Sequence, residues 1–154
     1  MSEGRAGAEA LVAALDEAGR LAAADAVDPA AVPPLLLRIL VAASGTAEVR
    51  DSLRGVAASR ALLRVTDAAA AIEFQAGDGA LHAEAADLRG KGPKVDATAA
   101  TWLGLLGGTL RPWLAFTRGL VVCRAGLTEL RWLQTVAERL QRGYDLARAR
   151  AAES

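Results

Sequence analysis

Neither sign of charge is in excess in this chain of 154 residues: 18 lysines and arginines face 18 acidic residues, for a formal net charge of zero. Net charge therefore supplies no field to draw in nucleic acid, and no nucleic-acid partner is expected. Cysteine is almost absent. The single Cys123 excludes an internal disulfide and fits a reducing cytoplasm. His82 is the only histidine. Neither residue stands at metal-ligand spacing, so no metal site is expected. No run approaches the roughly 18 uninterrupted apolar residues of a membrane span, so no integral membrane segment is expected. The opening MSEGRAGAEA lacks a basic stretch followed by an apolar one, and no secretory signal is expected there. Aromatic residues are few, at 4% of the chain, so the place where they gather is informative.

They gather between Trp102 and Gly126, in WLGLLGGTLRPWLAFTRGLVVCRAG. An apolar segment breaks at Gly107-Gly108 and restarts at Arg111-Pro112. A second apolar turn, Trp113 to Phe116, stops at Gly119, and the β-branched run Leu120 to Cys123 ends at Gly126. This reads as helix, glycine break, short helix and strand. Gly107-Gly108 reads as a helix C-cap in preference to a hinge.

Upstream, residues 5–24 predict an amphipathic helix, with Leu11, Leu15, Ala18 and Leu21 on one line. Asp28-Pro29 is a helix start, and Pro33-Pro34 limits that piece. Leu35 to Ala43 predicts a buried helix, and Thr46 is placed to cap a short helix carrying Val49, Leu53 and Val56. After Arg60 the period changes to two. Leu62–Thr66, Ala71–Ala76 and Ala80–Ala86 predict strands, the last two joined by the hairpin signal Gly77-Asp78-Gly79. The return strand is thin: Leu81, Ala83 and Ala85 share a face and fill little volume. Val95–Thr98 predicts a short strand. Residues 127–142 predict a final helix capped by Thr128 and supported by a Glu138–Arg142 pair, and residues 143–154 predict a frayed tail.

From about Leu62 to Leu140 the order of elements resembles the sterol carrier protein (SCP-2 type) family. The residues carrying the resemblance are the hairpin IEFQAGDGAL, the strand-to-helix step VDATAATWLGLLGG, and TLRPWLAFTRGLVVCRAG. It implies an α+β fold, a five-stranded largely antiparallel sheet with helices packed on one face. The implied division is a helical segment at 1–60 and a core at 61–142 within one domain. It also implies a hydrophobic tunnel between sheet and helices for a sterol, fatty acyl chain or similar lipid. The expected lining is Phe74, Leu81, Trp102, Leu105 and Leu106, together with Leu110, Trp113, Phe116, Val121 and Cys123.

Two departures stand out. The family's last strand begins Gly-Lys and alternates lysine with apolar residues up to Gly-Asp. Here Leu120 and Val122 take the lysine positions and Leu127 the aspartate position. Alternation turns Leu120 and Val122 away from the helices, so that face is expected to be covered by the N-terminal helices or by a second subunit in a homodimer. No catalytic residue, cofactor site, acid–base pair or phosphate-cradling loop is legible. His82 reads as part of a polar cross-strand surface with Arg64, Glu73 and Glu84, and Cys123 as an apolar filler. The leading expectation is a bacterial-type carrier of an apolar molecule. The alternatives are a cyclase-like enzyme of secondary metabolism using the same pocket, or a dimerisation module.

Overall fold

The computed structural model describes residues 2–24 and 26–153. Helix α1 (Ser2–Ala22) buries the expected line, with Leu11, Leu15 and Ala18 fully enclosed. A single 3-10 turn, Pro29–Ala31, follows, and the Asp28 carboxylate accepts from the Ala30 N–H. Pro33 and Pro34 start a helix instead of ending one. They occupy the first turn of α2 (Val32–Ser44), where a missing N–H breaks no helical bond. Thr46 precedes α3 (Ala47–Ser52) but caps it with backbone only. Its hydroxyl donates to the Ala42 carbonyl at 2.8 Å and also approaches that of Gly7 at 3.3 Å, tying α2 towards α1.

The sheet contains β1 (Ser59–Val65), β2 (Ala70–Gly77), β3 (Ala80–Ala86), β4 (Lys94–Ala97) and β5 (Val122–Arg124), in the spatial order β3-β2-β1-β4-β5. Three of its four pairings are antiparallel, and β1 with β4 is parallel. The β2–β3 turn has Asp78 and Gly79 both at positive φ, the backbone that matches strand twist in a two-residue hairpin. Helices α4 (Ala99–Leu106) and α5 (Pro112–Thr117) lie between β4 and β5 in the chain, and α6 (Leu127–Ala152) closes it. The expected α+β architecture and order of elements are present.

Register assigns the two faces. Phe74, Ile72, Leu63, Val65 and Val95 share the inner face and are buried. The rows His82–Gln75–Arg60 and Glu84–Glu73–Leu62–Lys94–Arg124 share the outer face. Helix α2 lies on the inner face over β3 and β2. The volume missing opposite Leu81 and Ala83 is thus filled by an approaching helix, which keeps interior packing dense.

Helix α6 departs most from expectation. The tail predicted to fray is helical to Ala152. Its small residues allow close crossing: Gly143 and Ala147 are buried, and α6 packs against both α3 and α1. Arg148 bonds Asp16 across that contact at 2.9 Å. Gly126, not Thr128, is the N-cap, and the Glu138–Arg142 pair does not form. Arg139 instead donates to the Ser52 carbonyl at 3.2 Å. A Cβ at position 143 would stand 2.9 Å from both Ser52 Oγ and Val49 Cα. Gly143→Ala gains up to about 1 kcal/mol of helix propensity but incurs an overpacking cost of about 1–3 kcal/mol. A net loss of stability is expected in denaturant unfolding, although the same change on an exposed helix face would stabilise.

Candidate ligand-binding site

Helix α4 is anchored at its start. The Thr98 hydroxyl accepts from the Thr101 N–H, and the Asp67 carboxylate accepts from the Ala99 N–H at 2.8 Å. The anchor holds Trp102 against the sheet, where its indole N–H donates to the Arg64 carbonyl at 3.1 Å. Trp102 is a buried structural residue with its polar end satisfied. Leu105, Leu106 and Leu110 follow, each partly buried against the core. Gly107 is the C-cap of α4, and Gly108 takes the left-handed conformation after it, as the capping reading requires.

Helix α5 differs from the other helices. Of its six residues only Ala115 is buried. Trp113 is 66% exposed, Leu114 37% and Phe116 39%. The Trp113 and Phe116 rings lie 6.4 Å apart. The chain then folds back tightly, the Leu120 N–H donating to the Ala115 carbonyl at 2.9 Å. Leu120 and Val122 are 43% and 45% exposed, and Leu127 is 67% exposed. The N-terminal helices do not cover this region: α1 packs on α2, α4 and α6, and α2 on β2 and β3. A run of large apolar side chains from α5 through β5 to the start of α6 therefore meets solvent. Patches of this kind usually mark a binding surface.

The ten residues expected to line a tunnel thus divide in two. Phe74 and Leu81 belong to the core on the β2–β3 side, and Trp102 is locked to β1. Leu105, Leu106, Leu110, Val121 and Cys123 are buried or partly buried against the core as well, and Trp113 and Phe116 stand on the open apolar region. Trp132 packs against the core, partly buried: its ring is 6.4 Å from that of Phe74, and its indole N–H donates to the Ala57 carbonyl at 2.7 Å. Cys123 faces inward, half-buried, and burial together with the Asp96 carboxylate pushes its thiol up, away from nucleophile character.

Two cavities lie elsewhere. One of about 440 Å³ is lined by the row Arg60, Gln75 and His82 together with Ser59, Ala76 and Leu81. The other, of about 290 Å³, lies along Arg60, Glu73 and the 87–91 loop. Neither is lined by Trp102, Leu105, Leu106 or any residue of α5, so neither is the expected tunnel between sheet and helices. His82 pairs loosely with Glu84, at 3.6 Å, as part of that polar face.

The strongest electrostatic feature is a cluster that sequence reading left unassembled. Asp96 is buried on β4, and both its oxygens are held by Arg64, each at 2.5 Å. Arg124 adds a bond at 2.9 Å. The Arg64 hydrogen bonds hold the Asp96 carboxyl below its ordinary pKa, and Arg124 adds to the shift. Arg64 also donates to the Leu88 carbonyl at 3.3 Å, which ties the 87–91 loop to the sheet. The signal in the sequence was a lone acid on a short strand; the parallel β1–β4 register supplies its partner.

Element order, strand order and the helix pair inserted between β4 and β5 make this an SCP-2-like fold. The sequence matches no family model and no curated protein. Among solved structures it is similar to the stereoselective inverting sec-alkylsulfatase Pisa1 from a Pseudomonas species. That match has 15% identity and a TM-score of 0.51, covering 74% of this chain and 16% of the sulfatase. It is also similar to sterol carrier protein 2, at 20% identity and a TM-score of 0.48 over 93% of this chain and 94% of that one. A conserved hypothetical protein from Thermus thermophilus matches at 25% identity and a TM-score of 0.49, covering 68% of this chain and 78% of its own. The likeness to the sulfatase is one of fold alone. The chain spans less than a fifth of the sulfatase.

Proposed function

We propose that this chain binds and carries an apolar molecule, a sterol, fatty acyl chain or similar lipid, on the open side of its fold. The binding region lies between the inner faces of β4 and β5 and the α4–α5 segment. Val121 and Cys123 form its floor, and Leu106, Leu110, Trp113 and Phe116 its wall. The observation that carries this reading is the exposure of Trp113, Leu114 and Phe116 on a helix with one buried residue. An apolar guest would cover them. Burial of a few hundred Å² at roughly 25 cal/mol per Å² reaches micromolar affinity after ordering costs. The carrier is proposed to act in the cytoplasm, where the lone thiol stays reduced.

Native mass spectrometry of the purified protein tests this directly, with a bound lipid mass as the expected result. Cys123 supplies a second readout. With a fatty acid present at ten times its Kd, alkylation of the thiol should slow by about tenfold, in proportion to the unliganded fraction. A protein that carries nothing, and whose thiol reacts at the same rate with and without fatty acid, would sink the proposal.

A further inference from the structure

The exposed apolar region carries an excess of positive charge. Between residues 109 and 131 there are four arginines, Arg111, Arg118, Arg124 and Arg131, against one acid, Glu129, so the segment is +3 (4 − 1) in a chain whose net charge is zero. Arg124 is engaged with Asp96. Arg111, Arg118 and Arg131 are exposed and form no ion pair among the described residues. Arg111 and Arg118 are the N-cap and C-cap of α5, so they bracket Trp113, Leu114 and Phe116.

We infer that α5 and the adjoining turn dock on an anionic lipid bilayer, with Trp113, Leu114, Phe116 and Leu120 entering the headgroup region and the arginines meeting lipid phosphates. A short apolar surface bearing a tryptophan and flanked by arginines has the composition of an interfacial anchor. An anionic surface is the occupant that satisfies both halves of the patch. A second copy of this chain satisfies only one. In a two-fold contact the same patch meets itself, which sets Arg111, Arg118 and Arg131 against their own copies with only Glu129 to offset them. This inference deepens the carrier reading and rests on the same face of the molecule, since docking there would deliver a guest from the bilayer directly to the α4–α5 wall.

The test is co-sedimentation with vesicles of phosphatidylcholine alone and of phosphatidylcholine mixed with phosphatidylglycerol. The protein should pellet with the mixed vesicles only and be released by high salt. Arg111→Glu with Arg118→Glu should weaken partitioning at least about tenfold while the circular dichroism spectrum is retained. The blue shift of tryptophan emission on vesicle binding should disappear in Trp113→Phe. Equal pelleting with both vesicle types, no pelleting with either, or a concentration-dependent dimer that shields Trp113 would each overturn the inference. Retention of fatty acid in vesicle-free buffer is measured in parallel. A protein that keeps its ligand but ignores vesicles defeats the docking alone, and one that docks without holding a ligand defeats the carrier alone.

Discussion

Asp96→Asn is expected to destabilise the protein by about 3 kcal/mol, because removing one partner of a buried ion pair leaves the other charge uncompensated. The Asp96 side chain is 9% exposed and that of Arg64 21%, so water compensates little of the loss. For a chain of this size that loss lowers Tm by roughly 6–12 °C. Arg124→Ala should cost under about 1 kcal/mol, because that arginine is mostly solvated. Thermal unfolding followed by circular dichroism checks both, and equal effects of the two changes would show that Arg64 does not dominate the cluster. The variant should also expose the 87–91 loop to proteolysis, since Arg64 would lose the geometry that holds the Leu88 carbonyl.

The pH dependence of wild type supplies an independent check. The folded-state pKa of Asp96 is lowered, chiefly by the Arg64 hydrogen bonds. The unfolded state therefore binds this proton more readily than the folded one, and stability from the cluster rises with pH through that window. It is fully present above the ordinary aspartate pKa of about 3.9 and is lost as pH falls through the lowered folded value. The stability gap between wild type and Asp96→Asn should accordingly be widest near neutrality and shrink in acid. A gap independent of pH would mean that the asparagine acts through packing and not through charge.

Local pattern made most of the fold legible. Period-two alternation and Gly77-Asp78-Gly79 define β2, β3 and their register, because a two-residue turn leaves one pairing that keeps Ile72 and Phe74 inside. The apolar line of α1 and the C-cap at Gly107 are equally local. Long-range pairing was not legible. Nothing near Asp96 in the chain announces Arg64, which lies 32 residues away and arrives through a parallel strand pair. The late half of α6 reads as a frayed tail because alanine and arginine alternate there with few large apolar residues. Its stability comes from small residues that let α3 and α1 approach, and that is a property of its partners. Which of the expected lining residues stays uncovered is not legible for the same reason. Composition identifies Phe74, Trp102 and Trp113 as large and apolar, but only packing decides which of them stays uncovered.

That division yields the second large effect. Trp113→Ala combined with Phe116→Ala should weaken binding of an apolar ligand by more than about a hundredfold. Removal of about 120 Å² of apolar contact at 25 cal/mol per Å² is worth about 3 kcal/mol. Stability should fall by no more than about 2 kcal/mol, mostly from the partly covered Phe116, because Trp113 largely meets solvent in the free protein. Trp132→Ala makes the opposite comparison. It removes a partly buried ring packed on Phe74 and a hydrogen bond to the Ala57 carbonyl, and is expected to cost about 2–3 kcal/mol of stability. Titration with a fluorescent fatty acid and thermal unfolding, run on the same samples, separate the two roles. An α5 double variant that binds as wild type does would show that the wall is not where the ligand sits. A double variant that loses stability beyond that bound would show that the exposed helix supports the fold and leave the carrier reading without its principal observation.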